Sequence, residues 1–276
     1  MKTIIDTDWL NEHVHDENLR IIDCRFSLGN PAEGRVRYKE SHIPGAVFFD
    51  LEKDLSGYVK KHGGRHPLPN MKNFLRKVED VGIDNDTTVV IYDEKEGAFA
   101  GRCWWLFQYI GHEKVYILNG GFAAWKKAGG KTESTVPMFP LKSYRPSFNE
   151  TIAASLDEVR SIANGDLDIP LIDSRSRERY FGHEEPIDRI PGHIPGAINL
   201  PWTDGVTEGY FIQGEQQNDR FAHLNKNEPV IVYCGSGVTA TPNFISLKEA
   251  GFNHVKLYVG SYSDWVSYEN HKVEKE

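Results

Sequence analysis

Val230-Ile231-Val232-Tyr233-Cys234-Gly235-Ser236-Gly237-Val238-Thr239-Ala240, continued by Thr241-Pro242-Asn243-Phe244-Ile245-Ser246-Leu247, reads as a strand, a glycine loop and a helix in that order. Four apolar or aromatic β-formers in a row predict a buried strand. Gly235 and Gly237 permit a tight turn. Pro242 suits the first turn of a helix whose apolar positions Ala240, Phe244, Leu247 and Ala250 share one face. Cys234 therefore stands at a strand end in front of a helix N-terminus, where loop N–H groups converge and the helix dipole adds positive potential. Both effects favour a sulfur anion, so the stretch predicts a nucleophilic cysteine rather than a structural one.

Working outward, the chain repeats itself. Leu19-Arg20-Ile21-Ile22-Asp23-Cys24-Arg25 is matched by Pro170-Leu171-Ile172-Asp173-Ser174-Arg175, and His42-Ile43-Pro44-Gly45-Ala46 by His193-Ile194-Pro195-Gly196-Ala197. Thr88-Val89-Val90-Ile91-Tyr92-Asp93 then matches the strand that ends in Cys234, and Asn119-Gly120-Gly121 to Trp125 matches Val259-Gly260-Ser261 to Trp265. Four signals in one order predict a duplicated domain. The expected halves are residues 1–135 and 151–276. A linker over 136–150 is expected because proline, serine and threonine gather around it. Each half alternates short apolar strands with helical stretches such as Met71 to Val81 and Ser155 to Ala163, which predicts an α/β domain with a mainly parallel sheet flanked by helices. Ligands bind outside the carboxyl ends of such strands. Where the second half has Cys234 at that position, the first has Asp93.

Composition narrows the function. A chain of 276 residues with 39% hydrophobic and 26% charged residues has room for two ordinary cores. A net charge of -8 argues against general nucleic-acid binding, so no nucleic-acid partner is expected. The opening Met1-Lys2-Thr3-Ile4-Ile5-Asp6-Thr7-Asp8 meets acids too early for a signal peptide, and no run reaches a transmembrane length. A cytoplasmic protein with no membrane partner is the expectation. Cys24, Cys103 and Cys234 form no C-x-x-C pair, which argues against a disulfide framework and a zinc site. Free thiols are expected, and neither a metal nor an organic cofactor is needed.

The paired Asp-x-Arg, His-Ile-Pro-Gly-Ala, strand-loop and Gly…Trp signals resemble those of the tandem rhodanese family over nearly the whole chain. The loop Cys234-Gly235-Ser236-Gly237-Val238-Thr239-Ala240 resembles that of its 3-mercaptopyruvate sulfurtransferase branch. The resemblance implies an inactive N-terminal rhodanese domain, a catalytic C-terminal one, and a persulfide on Cys234. The loop residues Gly235 to Ala240 would cradle that persulfide with their N–H groups. The donor is expected to be a small anion. Thiosulfate-preferring members tend to carry basic residues in the loop, and Gly235 and Ser236 carry none, which favours the keto acid and leaves thiosulfate as the alternative. The acceptor is expected to be thioredoxin, a low-molecular-weight thiol or cyanide.

The family's substrate arginines match Arg179 and, less closely, Arg189, since Ile187 and Asp188 separate the latter from Pro186. Arginine suits the task because it can grip a carboxylate through two parallel hydrogen bonds. The resemblance also implies a relay from Ser236 to His66 and an acid, with Asp50 or Glu52 the nearest matches. Arg175, His42, His193 and the tryptophans are expected to be structural. Three other readings compete. A cysteine phosphatase would need an arginine where Ala240 stands. The G-x-G-x-x-A pattern of Gly235 to Ala240 is followed by too little chain for a dinucleotide-binding half. A sulfur carrier or binding module without turnover is the third.

Overall fold

The computed structural model describes residues 3–276, so Met1 and Lys2 of the N-terminal reading lie outside the described residues. It divides into two compact units. The first comprises the chain up to Gly57, Leu68–Asn149 and Glu208–Phe211; the second comprises Tyr58–Pro67, Glu150–Thr207 and Ile212–Glu276. A short segment of each half in sequence is thus counted with the other half's unit.

The first unit is built on a five-stranded sheet, ordered Ile4–Ile5, Val115–Leu118, Thr88–Tyr92, Leu19–Asp23 and Ala46–Phe48, with every neighbour parallel. Helices Thr7–His13, Glu33–Glu40, Met71–Asp80, Ala98–Tyr109 and Gly121–Lys127 join and flank these strands. The strands are buried apolar runs, as parallel strands covered on both faces should be. The second unit repeats the plan with four parallel strands, ordered Val255–Leu257, Val230–Tyr233, Leu171–Asp173 and Ala197–Asn199. Its counterpart of the Ile4–Ile5 edge shrinks to one parallel bridge between Ala153 and Leu257. The flanking helices include Leu156–Ala163, Arg177–Phe181, Thr241–Glu249 and Ser261–Trp265. Local chemistry sets two helix starts: Asn70 accepts from the N–H groups of Lys72 and Asn73, and Ser155 forms a capping box with Glu158.

The sequence repeats act as repeated locks. Arg25 reaches both oxygens of Asp23 and the Ser41 carbonyl; Arg175 does the same with Asp173 and the Gly192 carbonyl. All four charged side chains are buried, and cutting such a pair by removing one partner costs about 3–5 kcal/mol. His42 is stacked on Tyr38 with ring centres 4.1 Å apart, and His193 on Tyr180 at 3.7 Å. Each histidine Nδ1 lies against the carbonyl of the tyrosine it stacks on. Trp125 and Trp265 donate to the carbonyls of Lys131 and Lys272. Because these devices occur in both units, they belong to the fold rather than to chemistry particular to one.

Candidate functional site: a cysteine loop ringed by arginines

In the second unit, strand Val230–Tyr233 delivers Cys234 to the carboxyl edge of the sheet, and the loop turns at once. Cys234 is 1% exposed, and its Sγ accepts the N–H of Gly237 at 3.2 Å. The turn requires glycine: Gly237 has φ 74°, and a β-carbon there would stand 2.2 Å from the Val259 carbonyl oxygen. Val238 and Ala240 are buried beneath the turn, Thr239 is half-buried, and Pro242 lies in the first turn of helix Thr241–Glu249.

A second loop braces the first. Ser261 adopts φ 54°, and its hydroxyl accepts the N–H of Cys234 while donating to the Tyr258 carbonyl. Tyr262 and Ser263 donate their N–H groups to the carbonyls of Cys234 and Gly235. The repeat of Gly-Ser with Gly-Gly marks position 261 in the sequence, but nothing local shows that its hydroxyl reaches the cysteine.

Segment Tyr58–Pro67 belongs to this unit and brings three polar side chains. His62 is stacked on Tyr268 at 4.0 Å, and Gly63 and Arg65 donate their N–H groups to Asp264 and Ser263. Gly64 passes so close to Gly260 that a β-carbon would meet its carbonyl oxygen at 2.3 Å. So anchored, His66 places Nδ1 2.8 Å from the Ser236 hydroxyl, with both residues buried. The acids Asp50 and Glu52 belong to the first unit. There Asp50 Oδ1 accepts the N–H groups of Glu52 and Lys53, and Glu52 is exposed.

Arginines gather beside the cysteine. A β-carbon at Gly235 would stand 2.8 Å from an Arg65 guanidinium nitrogen and 3.4 and 3.5 Å from those of Arg179. Glycine after the cysteine is thus what lets two cations approach a loop that carries none. Arg179 is held by Glu185 through Nε at 3.1 Å and Nη2 at 2.8 Å, and Nη2 also reaches Asp188 at 2.8 Å. Arg65 pairs with the other Asp188 oxygen. Burial pushes the Asp188 carboxyl above its usual range, with the two guanidiniums pulling it back. Glu185, desolvated too, falls below its usual range because Arg179 and two backbone N–H groups outweigh that cost. Arg189 is exposed and donates to the Val266 carbonyl at 3.1 Å. Arg65 is absent from the sequence-level candidates; its adjacency to His66 is the only signal that marks it.

The first unit shows the same loop differently filled. The Asp93 carboxylate, at the cysteine's position, accepts the N–H groups of Gly97, Phe99 and Ala100 at 3.0, 3.0 and 3.2 Å. Burial nevertheless raises its carboxyl above the usual range. Cys24 and Cys103 are buried free thiols, and burial followed by contact with Cys103 pushes the Cys24 thiol far up, away from reactivity. Among the described residues no group of three or more His, Cys, Asp or Glu side chains is placed to hold a metal ion.

A parallel α/β sheet that carries a buried cysteine at a strand end, its sulfur accepting a loop N–H ahead of a helix, defines the class of fold and site to which the protein belongs. Two segments, residues 6–128 and 155–268, match the rhodanese-like domain, and the chain belongs to that family in two tandem copies. Several of its relatives are named sulfurtransferases. A probable 3-mercaptopyruvate sulfurtransferase of Pseudomonas aeruginosa is 40% identical over 96% of this chain and 95% of its own length. A putative thiosulfate sulfurtransferase of Mycobacterium tuberculosis is 35% identical over 90% of this chain and 87% of its own. The crystal structure of a 3-mercaptopyruvate sulfotransferase from Escherichia coli superposes with a TM-score of 0.84 at 33% identity, covering 95% of this chain and all of that one.

Proposed function

We propose that this protein takes sulfur from 3-mercaptopyruvate onto Cys234 and passes it to a thiol or to cyanide. The observation that carries the reading is the convergence of Arg65 and Arg179 on Gly235, next to a cysteine seated in its loop. The guanidiniums receive the donor's carboxylate, and the Cys234 thiolate attacks the donor's sulfur. The carbon–sulfur bond breaks, its electron pair stays on the methylene carbon as the enolate of pyruvate, and a proton converts this to pyruvate. The sulfur remains on Cys234 as a persulfide, cradled by the N–H groups of Gly235 to Ala240. Ser236, bonded to His66, serves the proton and the enolate oxygen. Arg189 is the second candidate for the donor. An acceptor thiol such as thioredoxin or a low-molecular-weight thiol then removes the outer sulfur, and we assign the reaction to the cytoplasm.

Two guanidiniums could also grip thiosulfate, a dianion, and a relative bears that activity in its name. The test is the intact mass of the protein after brief exposure to each donor, with the adduct mapped by peptide. One added sulfur on Cys234 from mercaptopyruvate, and far less from thiosulfate, is the expected result. The reverse preference would install thiosulfate as the donor. No adduct from either would leave a carrier or binding module and end the proposal.

A further inference from the structure

The two arginines beside Cys234 are not free to meet a donor unaccompanied. Asp188 offers one oxygen to each, and its side chain is 2% exposed. Behind it the pairs continue: Glu185, also 2% exposed, joins Arg179 to Arg175, and Arg175 is closed by Asp173. Through these contacts three guanidiniums are linked to three carboxylates, so the cluster is neutral before any donor arrives. Glu185 also accepts the backbone N–H groups of Ile187 and Asp188, which pins the turn that carries the Asp188 carboxylate.

We infer that Asp188 is a built-in counter-anion that limits the donor site to one added negative charge, and so selects a monoanionic keto acid over a dianion. This rests on the reading of Cys234 and its arginines as the donor site. The reason is electrostatic. A donor seated on Arg65 and Arg179 lies close to the Asp188 carboxylate, and the repulsion scales with the donor's charge. Whatever factor removal of that carboxylate gives a monoanion, a dianion in the same place gains about the square of it. The arginines supply geometry for gripping an anion, while Asp188 supplies the discrimination, acting as a specificity-determining residue that need not touch the reacting sulfur.

The experiment compares wild type with Asp188→Asn, which keeps the shape and removes the charge, and with Asp188→Glu, which keeps the charge. The readouts are KM and kcat for each donor, together with binding of two unreactive anions, pyruvate and sulfate, followed by tryptophan fluorescence. For Asp188→Asn the expected changes are in KM: about threefold tighter for mercaptopyruvate and about tenfold for thiosulfate, with pyruvate and sulfate binding moving by the same factors. Asp188→Glu should keep the wild-type donor ratio. A ratio unchanged in Asp188→Asn, or equal losses of kcat with both donors, would reduce Asp188 to a structural brace and overturn the inference. The anion-binding arm separates this from the function proposal: absence of a Cys234 persulfide in the wild type would sink the latter, while the shift in sulfate against pyruvate affinity would still decide the role of Asp188. If Asp188→Asn does not fold, wild type decides alone, since sulfate binding as tightly as pyruvate contradicts the inference.

Discussion

At the scale of single residues, Cys234 combines near-complete burial with a sulfur that accepts the Gly237 N–H. Replacing it by alanine removes one small atom and no charged contact. Cys234→Ala is therefore expected to abolish the sulfur adduct while shifting stability by no more than about 1–2 kcal/mol, checked by intact mass and a thermal melt. Gly237 should be far less tolerant, because a β-carbon there is both out of its φ range and driven into a carbonyl. Gly237→Ala should cost at least about 2 kcal/mol in chemical denaturation and remove activity with it, since the loop cannot close around the sulfur. Arg179→Ala should raise KM for the keto acid by about tenfold or more and alter kcat less, on the reading that it grips a carboxylate that does not react. An unchanged KM would count against that assignment.

At the scale of elements, helix Ala98–Tyr109 and the residues after it carry a pH-sensitive joint in the first unit. His112 is 1% exposed, its Nε2 donates to the Thr87 carbonyl, and its Nδ1 is buried without a hydrogen-bond partner. Burial pushes its pKa down from 6.5 to about 4, against the opposing pull of Asp84. Between those values the unfolded chain binds a proton that the folded one refuses, so stability falls as pH drops through 6.5 and levels off below about 4. At about 1.4 kcal/mol per unit, this imidazole contributes at most about 3.5 kcal/mol of acid sensitivity. His112→Gln, which can keep the bond to Thr87, should flatten the denaturation midpoint between pH 6.5 and 4; an unaltered slope would show that other groups set it. The capped helices Met71–Asp80 and Leu156–Ala163 were legible as helices because their caps and spacing are local. The strands were legible for a related reason, being unbroken apolar runs between turn residues.

At the scale of the whole molecule, the two units are not two contiguous halves of the sequence. Tyr58–Pro67 counts with the second unit and carries His66, bonded to Ser236, and Arg65, paired with Asp188. A chain cut to residues 150–276 keeps Cys234 and its loop yet lacks both side chains. It is expected to form the Cys234 adduct from mercaptopyruvate at least about tenfold more slowly than the full chain, with circular dichroism reporting whether its sheet has formed. A folded fragment that reacts at the full rate would show that neither Arg65 nor His66 matters to the transfer. The same exchange explains why one of the arginines beside Gly235 escapes a reading along the chain: it lies far from Cys234 in sequence and is delivered only by packing.

By itself the sequence determined the duplication, the parallel α/β plan of each copy and the strand-to-helix loop around Cys234, because each depends on signals within a few residues or on a repeated pattern. It also located Asp93 at the matching strand end. Only the tertiary structure decided which charged groups meet at the loop. It set Arg65 and Arg179 against Gly235, sent Arg189 to the Val266 carbonyl, and seated Asp188 between the first two. It also brought the Ser261 hydroxyl to the cysteine's own N–H. Most of those pairings join residues far apart in the chain, and ion pairs carry no periodicity from which they could be read; Asp188 meets both arginines because a carboxylate buried in the interior must find partners.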